Sequence, residues 1–158
     1  MKIKQLSLFL MVLLVITGFM SCDLNSSDEA SLAIIGEWDT GYVWDGVTYE
    51  SKIVLTETVF QNYSGGELLY SAKIVSFENS GWNGGESGEG EHGYIVIQFD
   101  NNKYMVLRWE NFIAGTSMDY SEGYNFVTEE YFDTPEDAIV GATEATGFFG
   151  GFSSTTKL

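Results

Sequence analysis

The sequence predicts an all-β domain: an antiparallel up-and-down meander of about eight strands that closes into a barrel and carries one short C-terminal helix. Three dipeptides typical of tight turns, Asp-Gly at 45–46, Gly-Gly at 65–66 and Asn-Asn at 101–102, each separate segments rich in aromatic and β-branched residues. The chain has 18 glycines and one proline, as a series of turns requires. A helix start signal occurs at 134–135. Closure of the meander would leave no strand edge exposed.

Length and composition fit one domain and exclude several classes of protein. The chain has 158 residues, a formal net charge of −16, one Cys and one His. A domain of this length buries a core without disulfides. The acidic balance argues against a nucleic-acid partner, because phosphate binding needs clustered Lys and Arg. With one Cys and one His we expect no disulfide framework, no metal site and no cofactor, and no residue stands out as catalytic.

Residues 1–21 are predicted to be a signal peptide that is removed on export. Lys2 and Lys4 give a positive start, an apolar stretch follows over residues 6–20, and the small Ser21 precedes Cys22. The apolar stretch is too short to span a bilayer comfortably, since a spanning helix needs about 20 apolar residues. Removal of residues 1–21 takes away two lysines and no acid, so the remaining charge becomes −18.

Cys22 is predicted to be the site of lipid attachment. The stretch Gly-Phe-Met-Ser-Cys at 18–22 resembles a bacterial lipobox, with Phe19 where Leu is usual, of the relaxed type seen in spirochaetes and some other bacteria. The resemblance implies a diacylglycerol thioether on Cys22, usually with an N-acyl chain, and a lipoprotein of the bacterial cell envelope, at the periplasmic face or the cell surface. Residues 22–33 would form the acylated Cys and a polar tether. A cleaved soluble protein and an uncleaved anchor are the alternatives.

The barrel domain is expected over residues 34–158. Its first hairpin turns at 45–46, and a two-residue turn fixes the register of the strands. The predicted pairs are Trp44 with Val47, Tyr42 with Tyr49, Thr40 with Ser51 and Trp38 with Ile53. These pairs put aromatic and apolar side chains on one face and charged side chains on the other, which is typical of a half-buried antiparallel ribbon.

The third hairpin is predicted to turn at Asn-Asn 101–102. The predicted pairs are Phe99 with Tyr104, Ile97 with Val106 and Ile95 with Arg108. In this register Arg108, the only arginine of the chain, shares a face with Ile95 and Tyr104. Both faces of the hairpin are largely apolar, so we expect another part of the chain to cover the outer face.

Two more strands are expected at 115–121 and 124–130. After them the sequence changes from strand and turn residues to a helix start signal. Thr134 is a predicted N-cap, with Pro135 in the first turn and acidic residues after it, so a helix is expected over 135–146. The aromatic tail at 147–152 would add a last strand or plug the barrel.

Gly36 and Trp38 open the first strand of the predicted meander, and their Gly-x-Trp pattern resembles the signature of the lipocalin/calycin family. In that family the Trp closes the base of the barrel and an Arg from the last strand packs over it. Arg108 departs from this pattern, because it lies about two-thirds along the chain and not on the expected last strand. The resemblance implies a lipocalin-like β-barrel that binds a small apolar or amphipathic ligand.

Six side chains are candidates for ligand binding. They are Trp38, Tyr42, Trp44, Tyr49, Tyr104 and Arg108. Arg108 would anchor a ligand carboxylate with bidentate geometry. Two alternatives stay open. The rings fill the interior, since a barrel of about eight strands is just wide enough for side chains, or Arg108 makes an internal ion pair with Glu110 or stacks on an aromatic ring.

The loop at 79–93 is rich in glycine and acidic residues and carries Trp82. We expect a mobile loop at the mouth of the barrel, with Trp82 as a lid or as a contact for a protein partner. The loop lacks the ligand spacing of an EF-hand, so no metal site is predicted.

Three functions are compatible with these observations. The first is a membrane-anchored lipoprotein whose barrel binds a small apolar or amphipathic ligand. The second is an envelope lipoprotein with a filled barrel, which binds a protein partner through its acidic surface and the loop of Trp82 or has a structural role. The third is an envelope hydrolase that uses two carboxylates.

Overall fold

The structure is a computed structural model that describes residues 31–82, 87–125, 127–128, 131–149 and 151–158. The predicted signal peptide, Cys22 and the tether up to residue 30 lie outside the described residues. Residues Leu32–Leu158 form one compact unit. In the described ranges no helix has the length and the apolar character needed to cross a bilayer.

Eight strands of the described residues form one closed antiparallel barrel, which confirms the predicted fold class. The strands are β1 (Gly36–Asp39), β2 (Tyr42–Trp44), β3 (Val47–Tyr49), β4 (Ser51–Leu55), β5 (Val59–Ser64), β6 (Glu67–Glu78), β7 (Gly93–Gln98), β8 (Tyr104–Ile113), β9 (Ser117–Glu122) and β10 (Ser153–Lys157), and the helix α1 spans Pro135–Gly141. The barrel runs β1, β4, β5, β6, β7, β8, β9, β10 and closes between β10 and β1. Strands β2 and β3 form a separate two-stranded sheet.

The first hairpin has the predicted register. Trp38 pairs with Ile53 across β1 and β4, and Tyr42 pairs with Tyr49 across β2 and β3. The turn at 45–46 has φ of 48° and 76° at its two central residues, and a type I′ turn requires positive φ at both. The Asp-Gly dipeptide therefore determines this part of the fold as expected.

The outer half of this hairpin leaves the barrel, so the expectation of one half-buried face is only partly correct. Trp38 is 1% exposed, whereas Trp44 is 71% exposed and Tyr42 is 57% exposed. The strands separate at Gly41, where a Cβ atom would come within 2.9 Å of the Tyr49 carbonyl oxygen. Glycine permits this close approach of two backbones, and β2 and β3 project from the barrel beyond it.

The third hairpin is shifted by one residue, and the predicted register is wrong. Its loop has three residues, 100–102. The Phe99 N–H donates to the Lys103 carbonyl oxygen at 2.9 Å, and within the loop the positive φ, 60°, is at Asn102. A loop whose last residue is left-handed is the common three-residue connection, not the two-residue turn that Asn-Asn indicates.

The shift moves Arg108 out of the barrel interior. A one-residue change in register turns a strand's side chains to the other face, and Arg108 pairs with Tyr94 rather than Ile95. Ile95 belongs to the cluster around Trp38 inside the barrel. Tyr104 and Arg108 therefore lie on the outer face of the barrel, contrary to the prediction.

Large apolar side chains fill the part of the interior around Trp38. The buried members of this cluster are Leu32, Ile34, Trp38, Ile53, Leu55, Phe60, Ala72, Ile74, Ile95, Ile97, Met105, Leu107, Trp109 and Met118. The Trp38 indole N–H donates to the Ile34 carbonyl oxygen at 2.9 Å, so the segment before β1 closes this end. We call this end the floor of the barrel.

A second cluster covers the outer face of β7 and β8, as the apolar pattern on both faces of that hairpin predicts. Its buried members are Val96, Val106, Ala138, Ala142, Phe148 and Phe149. The helix α1 and residues 148–149 form the cover. The aromatic tail thus packs on the outside of the barrel, and the last strand comes from the following residues, Ser153–Lys157.

Strand β10 brings a lysine to the floor of the barrel. The Lys157 Nζ lies 4.4 Å from the centroid of the Trp38 ring and donates to the Ile35 carbonyl oxygen at 2.5 Å. A cation on the last strand over the first-strand Trp is the arrangement that the lipocalin resemblance implies, with Lys157 in place of an arginine. Arg108 does not take this position.

The helix begins as predicted and ends five residues early. Thr134 caps it, accepting a hydrogen bond from the Asp137 N–H at 3.1 Å. It ends at Gly141 because Thr146 folds back and donates to the Gly141 carbonyl oxygen at 2.7 Å, a local bond that competes with helix continuation.

The strand predicted at 124–130 is not found among the described residues of that segment. The Asn125 side-chain oxygen accepts hydrogen bonds from the N–H groups of Val127 and Thr128, at 2.9 and 3.1 Å, and these bonds form a turn. Residues 126, 129 and 130 lie outside the described part.

Candidate functional site

Four polar side chains meet inside the barrel at the end opposite to the floor. The start of β6 and the end of β9 lie at the same end of an antiparallel meander, and the end of β8 lies at the other. Trp38 contacts Phe112, near the end of β8, with ring centroids 6.0 Å apart. Tyr70, near the start of β6, and Glu122, the last residue of β9, therefore lie at the other end, which we call the mouth.

Glu122 is the centre of this group. Its Oε1 accepts hydrogen bonds from Asn62 Nδ2 at 2.8 Å and from the Tyr120 hydroxyl at 3.1 Å. Its Oε2 accepts one from the Tyr70 hydroxyl at 2.8 Å. Strands β5 and β6, which carry Asn62 and Tyr70, are not neighbours of β9 in the barrel. These bonds therefore cross the interior, and we call the four residues the Glu122 cluster.

Aromatic rings continue from the cluster along the mouth. Tyr70 lies 5.5 Å from Phe99, Phe99 lies 5.0 Å from Tyr131, and Tyr131 lies 5.2 Å from Tyr124, measured between ring centroids. We call Phe99, Tyr124 and Tyr131 the aromatic wall. The rings keep part of their surface exposed, so solvent reaches this side of the cluster.

Burial controls the ionisation of the Glu122 cluster. Burial raises the pKa of Glu122, and the hydrogen bonds from Tyr70, Tyr120 and Asn62 oppose that rise without cancelling it. Burial and then the charge of Glu122 raise the pKa of both tyrosines far above the usual range. Both phenols therefore stay protonated and remain hydrogen-bond donors to the carboxylate.

The cluster holds more acceptors than donors. The Asn62 Oδ1 is buried and has no hydrogen-bond partner in the described part of the chain. Within the same ranges, the ion pairs of lysine join Lys52 to Glu37 and Lys103 to Asp133, and no Lys or Arg nitrogen lies within 4.0 Å of the Glu122 carboxylate. A ligand that brings hydrogen-bond donors or positive charge would complete this arrangement.

The structure does not bring the six predicted ligand-binding residues together. Trp38 lies in the packed floor. Tyr42 and Tyr49 stack on each other at 4.9 Å on the projecting hairpin, where they line an external groove of about 460 Å³. Trp44 is exposed at the tip of that hairpin.

Arg108 and Tyr104 belong to the outer face of the barrel. Arg108 is 1% exposed. Its Nη2 donates to the Ala142 carbonyl oxygen at 3.2 Å, and its guanidinium lies 4.0 Å from the Phe149 ring centroid and 4.9 Å from the Trp82 ring. Of the alternatives predicted for Arg108, the structure shows stacking on aromatic rings. Tyr104 faces away from the interior, and its hydroxyl accepts a hydrogen bond from Gln98 Nε2 at 2.8 Å.

Trp82 packs against the body of the barrel rather than projecting from its loop. Its ring stacks on His92 at 5.5 Å and lies 5.7 Å from Phe152. A Cβ atom at Gly88 would come within 1.9 Å of the indole nitrogen, so the glycine is needed at this contact. Residues 83–86 of the same loop lie outside the described part. In the described ranges no three His, Cys, Asp or Glu side chains are grouped to hold a metal ion.

The Glu122 cluster was not predicted from the sequence. Met118, Tyr120 and Glu122 alternate along β9 with side chains toward the interior, and this period of two is the signal that marks Glu122 as an inward-facing acid. The strands predicted at 115–121 and 124–130 leave Glu122 in the connection between them instead.

Comparison with protein-family models, curated proteins and solved structures gives no match. The fold is an eight-stranded antiparallel closed barrel, consistent with a lipocalin-like barrel.

Replacing Glu122 by glutamine should change how stability depends on pH. A raised native pKa means that the ionised form of Glu122 costs folding free energy. The stability associated with protonated Glu122 is fully present below the pKa of the unfolded chain, near 4.5, and is lost as pH rises through the native pKa. The free energy of unfolding of Glu122→Gln, measured with urea, should therefore rise relative to that of the wild type as pH rises. Glu67→Gln, which removes an exposed acid at the same end, should show no such gain. An unchanged difference across the pH range would contradict the raised pKa of Glu122.

Proposed function

We propose that the protein is a membrane-anchored exported lipoprotein whose barrel binds a small amphipathic ligand at its mouth. The observation that carries this proposal is the Glu122 cluster, a half-buried group of hydrogen-bonded polar side chains beside partly exposed aromatic rings. Binding sites for small molecules combine apolar walls with a few convergent polar groups. The packed floor around Trp38 would confine the ligand to the mouth.

The anchoring part of the proposal rests on the lipobox-like residues 18–22. Two or three acyl chains give stable attachment where one is marginal. The charge of −18 that remains after removal of residues 1–21 would be repelled by anionic lipid headgroups. The lipid, and not the protein surface, would therefore hold the domain at the membrane.

Replacing Cys22 by alanine should release the protein from the membrane fraction. The wild-type chain should enter the detergent phase on phase separation, because its acyl chains partition there, and Cys22→Ala should stay in the aqueous phase or accumulate as the uncleaved precursor. Ser21→Ala, which keeps a small residue before the Cys, is the matched control and should behave as the wild type. A Cys22→Ala protein that is cleaved and still tightly membrane-bound would refute the lipid anchor.

Ligand binding is tested by native mass spectrometry of the detergent-extracted protein. A small molecule that co-purifies with the wild type and with Trp44→Ala, but is lost from Glu122→Gln, would support a site at the mouth. A molecule that is retained by Glu122→Gln would place the ligand elsewhere.

A second candidate function, binding of a basic protein partner, is favoured by the projecting hairpin. The large apolar residues of β2 and β3 are all exposed: Tyr42, Val43, Trp44, Val47 and Tyr49. Three exposed acids, Asp39, Asp45 and Glu50, accompany them. Aromatic rings beside carboxylates suit Lys and Arg side chains, through cation–π contacts and ion pairs. Cross-linking of a basic protein to the wild type that is abolished by Trp44→Ala and kept by Glu122→Gln would favour this candidate over the first.

A further inference from the structure

We infer that the ligand of the mouth is an organic cation, a primary amine or a quaternary ammonium group attached to an apolar body. This inference rests on the proposed function, since it names the chemical class of the ligand that the mouth binds. It follows from three features of the Glu122 cluster: its hydrogen-bond acceptors, its charge and its aromatic surroundings.

The first feature is the direction of the hydrogen bonds. The hydroxyl groups of Tyr70 and Tyr120 both donate to Glu122, so each phenol oxygen has only lone pairs left for another partner. The carboxylate accepts three bonds and has room for about four. Asn62 directs its amide nitrogen to Glu122, and its buried Oδ1 has no partner in the described part of the chain. The cluster therefore offers acceptors, which the N–H groups of a protonated primary amine would fill. A quaternary ammonium group has no N–H and would be held by the charge and the aromatic rings alone.

The second feature is a half-buried negative charge with no cation beside it in the part of the chain that the structure describes. Among the described residues no Lys or Arg nitrogen is within ion-pair distance of Glu122. A buried carboxylate is costly unless it is paired, and a cationic ligand would provide the pairing. An anionic ligand would face both Glu122 and a strongly acidic protein, so charge selects against it.

The third feature is the aromatic wall. The faces of aromatic rings carry partial negative charge and attract cations within about 6 Å of the ring centroid. Tyr70, Phe99, Tyr131 and Tyr124 follow one another at 5.0–5.5 Å between ring centroids, so an ammonium group beside Glu122 would lie near several rings. A metal ion would need more charged or imidazole ligands, and the described residues hold no group of three. The wall therefore favours an organic cation over a metal ion.

Binding of a cation should be linked to the proton on Glu122. The groups that face Glu122 are Asn62 from β5, Tyr70 from β6, Tyr120 from β9 and, beyond them, Tyr131, whose pKa the charge of Glu122 helps to raise. Glu122 is the one acid of this group, because the tyrosines stay protonated. Burial favours its neutral form, so a cation competes with a proton, and its affinity should fall as pH falls.

The experiment uses two pairs of probes with nearly the same shape and different charge. Choline is compared with 3,3-dimethyl-1-butanol, and tryptamine with tryptophol, by titration calorimetry on the detergent-extracted protein at about pH 8 and about pH 5. We expect the cation of at least one pair to bind at about pH 8 at least about tenfold more tightly than its neutral partner. That preference should shrink at about pH 5 and vanish in Glu122→Gln. Glu67→Gln loses the same charge from an exposed position and should keep the preference.

Three results would overturn the inference, and they bear differently on the proposed function. If an alcohol binds as tightly as its cation and Glu122→Gln weakens both, the mouth binds ligands but does not select cations. If neither cation binds at about 10 mM, the cation class is wrong, and mass spectrometry of the extracted protein decides separately whether the mouth holds any ligand. A preference that survives in Glu122→Gln would place the cation site outside the mouth.

Discussion

Replacing Trp38 by alanine should lower the free energy of unfolding by about 3–5 kcal/mol, which is typical of a large buried ring. Trp38 is 1% exposed and lies among the apolar side chains of the floor. Its indole N–H bonds to Ile34 at 2.9 Å, and Lys157 of the last strand lies over its ring. The substitution thus removes apolar burial and loosens both chain segments that close the barrel.

Trp44→Ala is the matched control, because it makes the same chemical change on the same hairpin. Trp44 is 71% exposed, so its removal should change the free energy of unfolding by no more than about 0.5 kcal/mol. Urea denaturation followed by circular dichroism measures both values. Equal losses for the two variants would contradict the placement of Trp38 in the floor and Trp44 outside the barrel.

The contrast between these two tryptophans also shows how far the sequence predicts the first hairpin. Asp-Gly at 45–46 admits essentially one kind of tight turn, so the register follows from local conformation and is correct. The side-chain pattern is continuous through Trp38, Tyr42 and Trp44, and alternation alone gives no sign that the sheet divides. The division depends on the close approach at Gly41 and on which strands are taken into the barrel, and both are properties of the tertiary structure.

The third hairpin was mispredicted because its turn is ambiguous. Asn adopts positive φ more readily than most residues, and Asn-Asn is compatible with a two-residue or a three-residue loop. Only Asn102 is left-handed, so the loop has three residues. Apolar residues occupy both faces of β7 and β8, and a strand pair of this kind gives no pattern by which a shift of one residue is detected.

The Glu122 cluster depends on long-range contacts that the sequence alone does not predict. Asn62 and Glu122 are 60 residues apart, and Tyr70 and Glu122 are 52 apart, on strands that are not neighbours. Their meeting follows from closure of the barrel and from the register of each intervening hairpin. An irregularity in the pairing of β5 with β6 lies between Asn62 and Tyr63 and affects which side chains face inward. The fold class was therefore predictable, and the site was not.

Arg108→Ala should lower the free energy of unfolding by about 2–4 kcal/mol, since a hydrogen bond from a charged group and a desolvated cation–π contact each contribute about 2 kcal/mol. The guanidinium is buried between β8 and the cover, where it bonds to Ala142 and stacks on Phe149. The helix α1 has seven residues, and a helix of that length depends on packing for its stability. Loss of Arg108 should therefore detach the cover before it opens the barrel.

Hydrogen exchange distinguishes this arrangement from a role of Arg108 in the interior. In Arg108→Ala the amides of Ala138 and Ala142 should lose protection, while those of Ile95 and Ile97 in the barrel keep theirs. Lys73→Ala, which removes an exposed cation from β6, should leave both sets unchanged. Ligand retention at the mouth should survive Arg108→Ala, because the guanidinium lies on the opposite side of the barrel wall from Glu122. If Arg108→Ala loses the ligand and keeps the cover protected, Arg108 faces the interior and the register of the third hairpin described above is wrong.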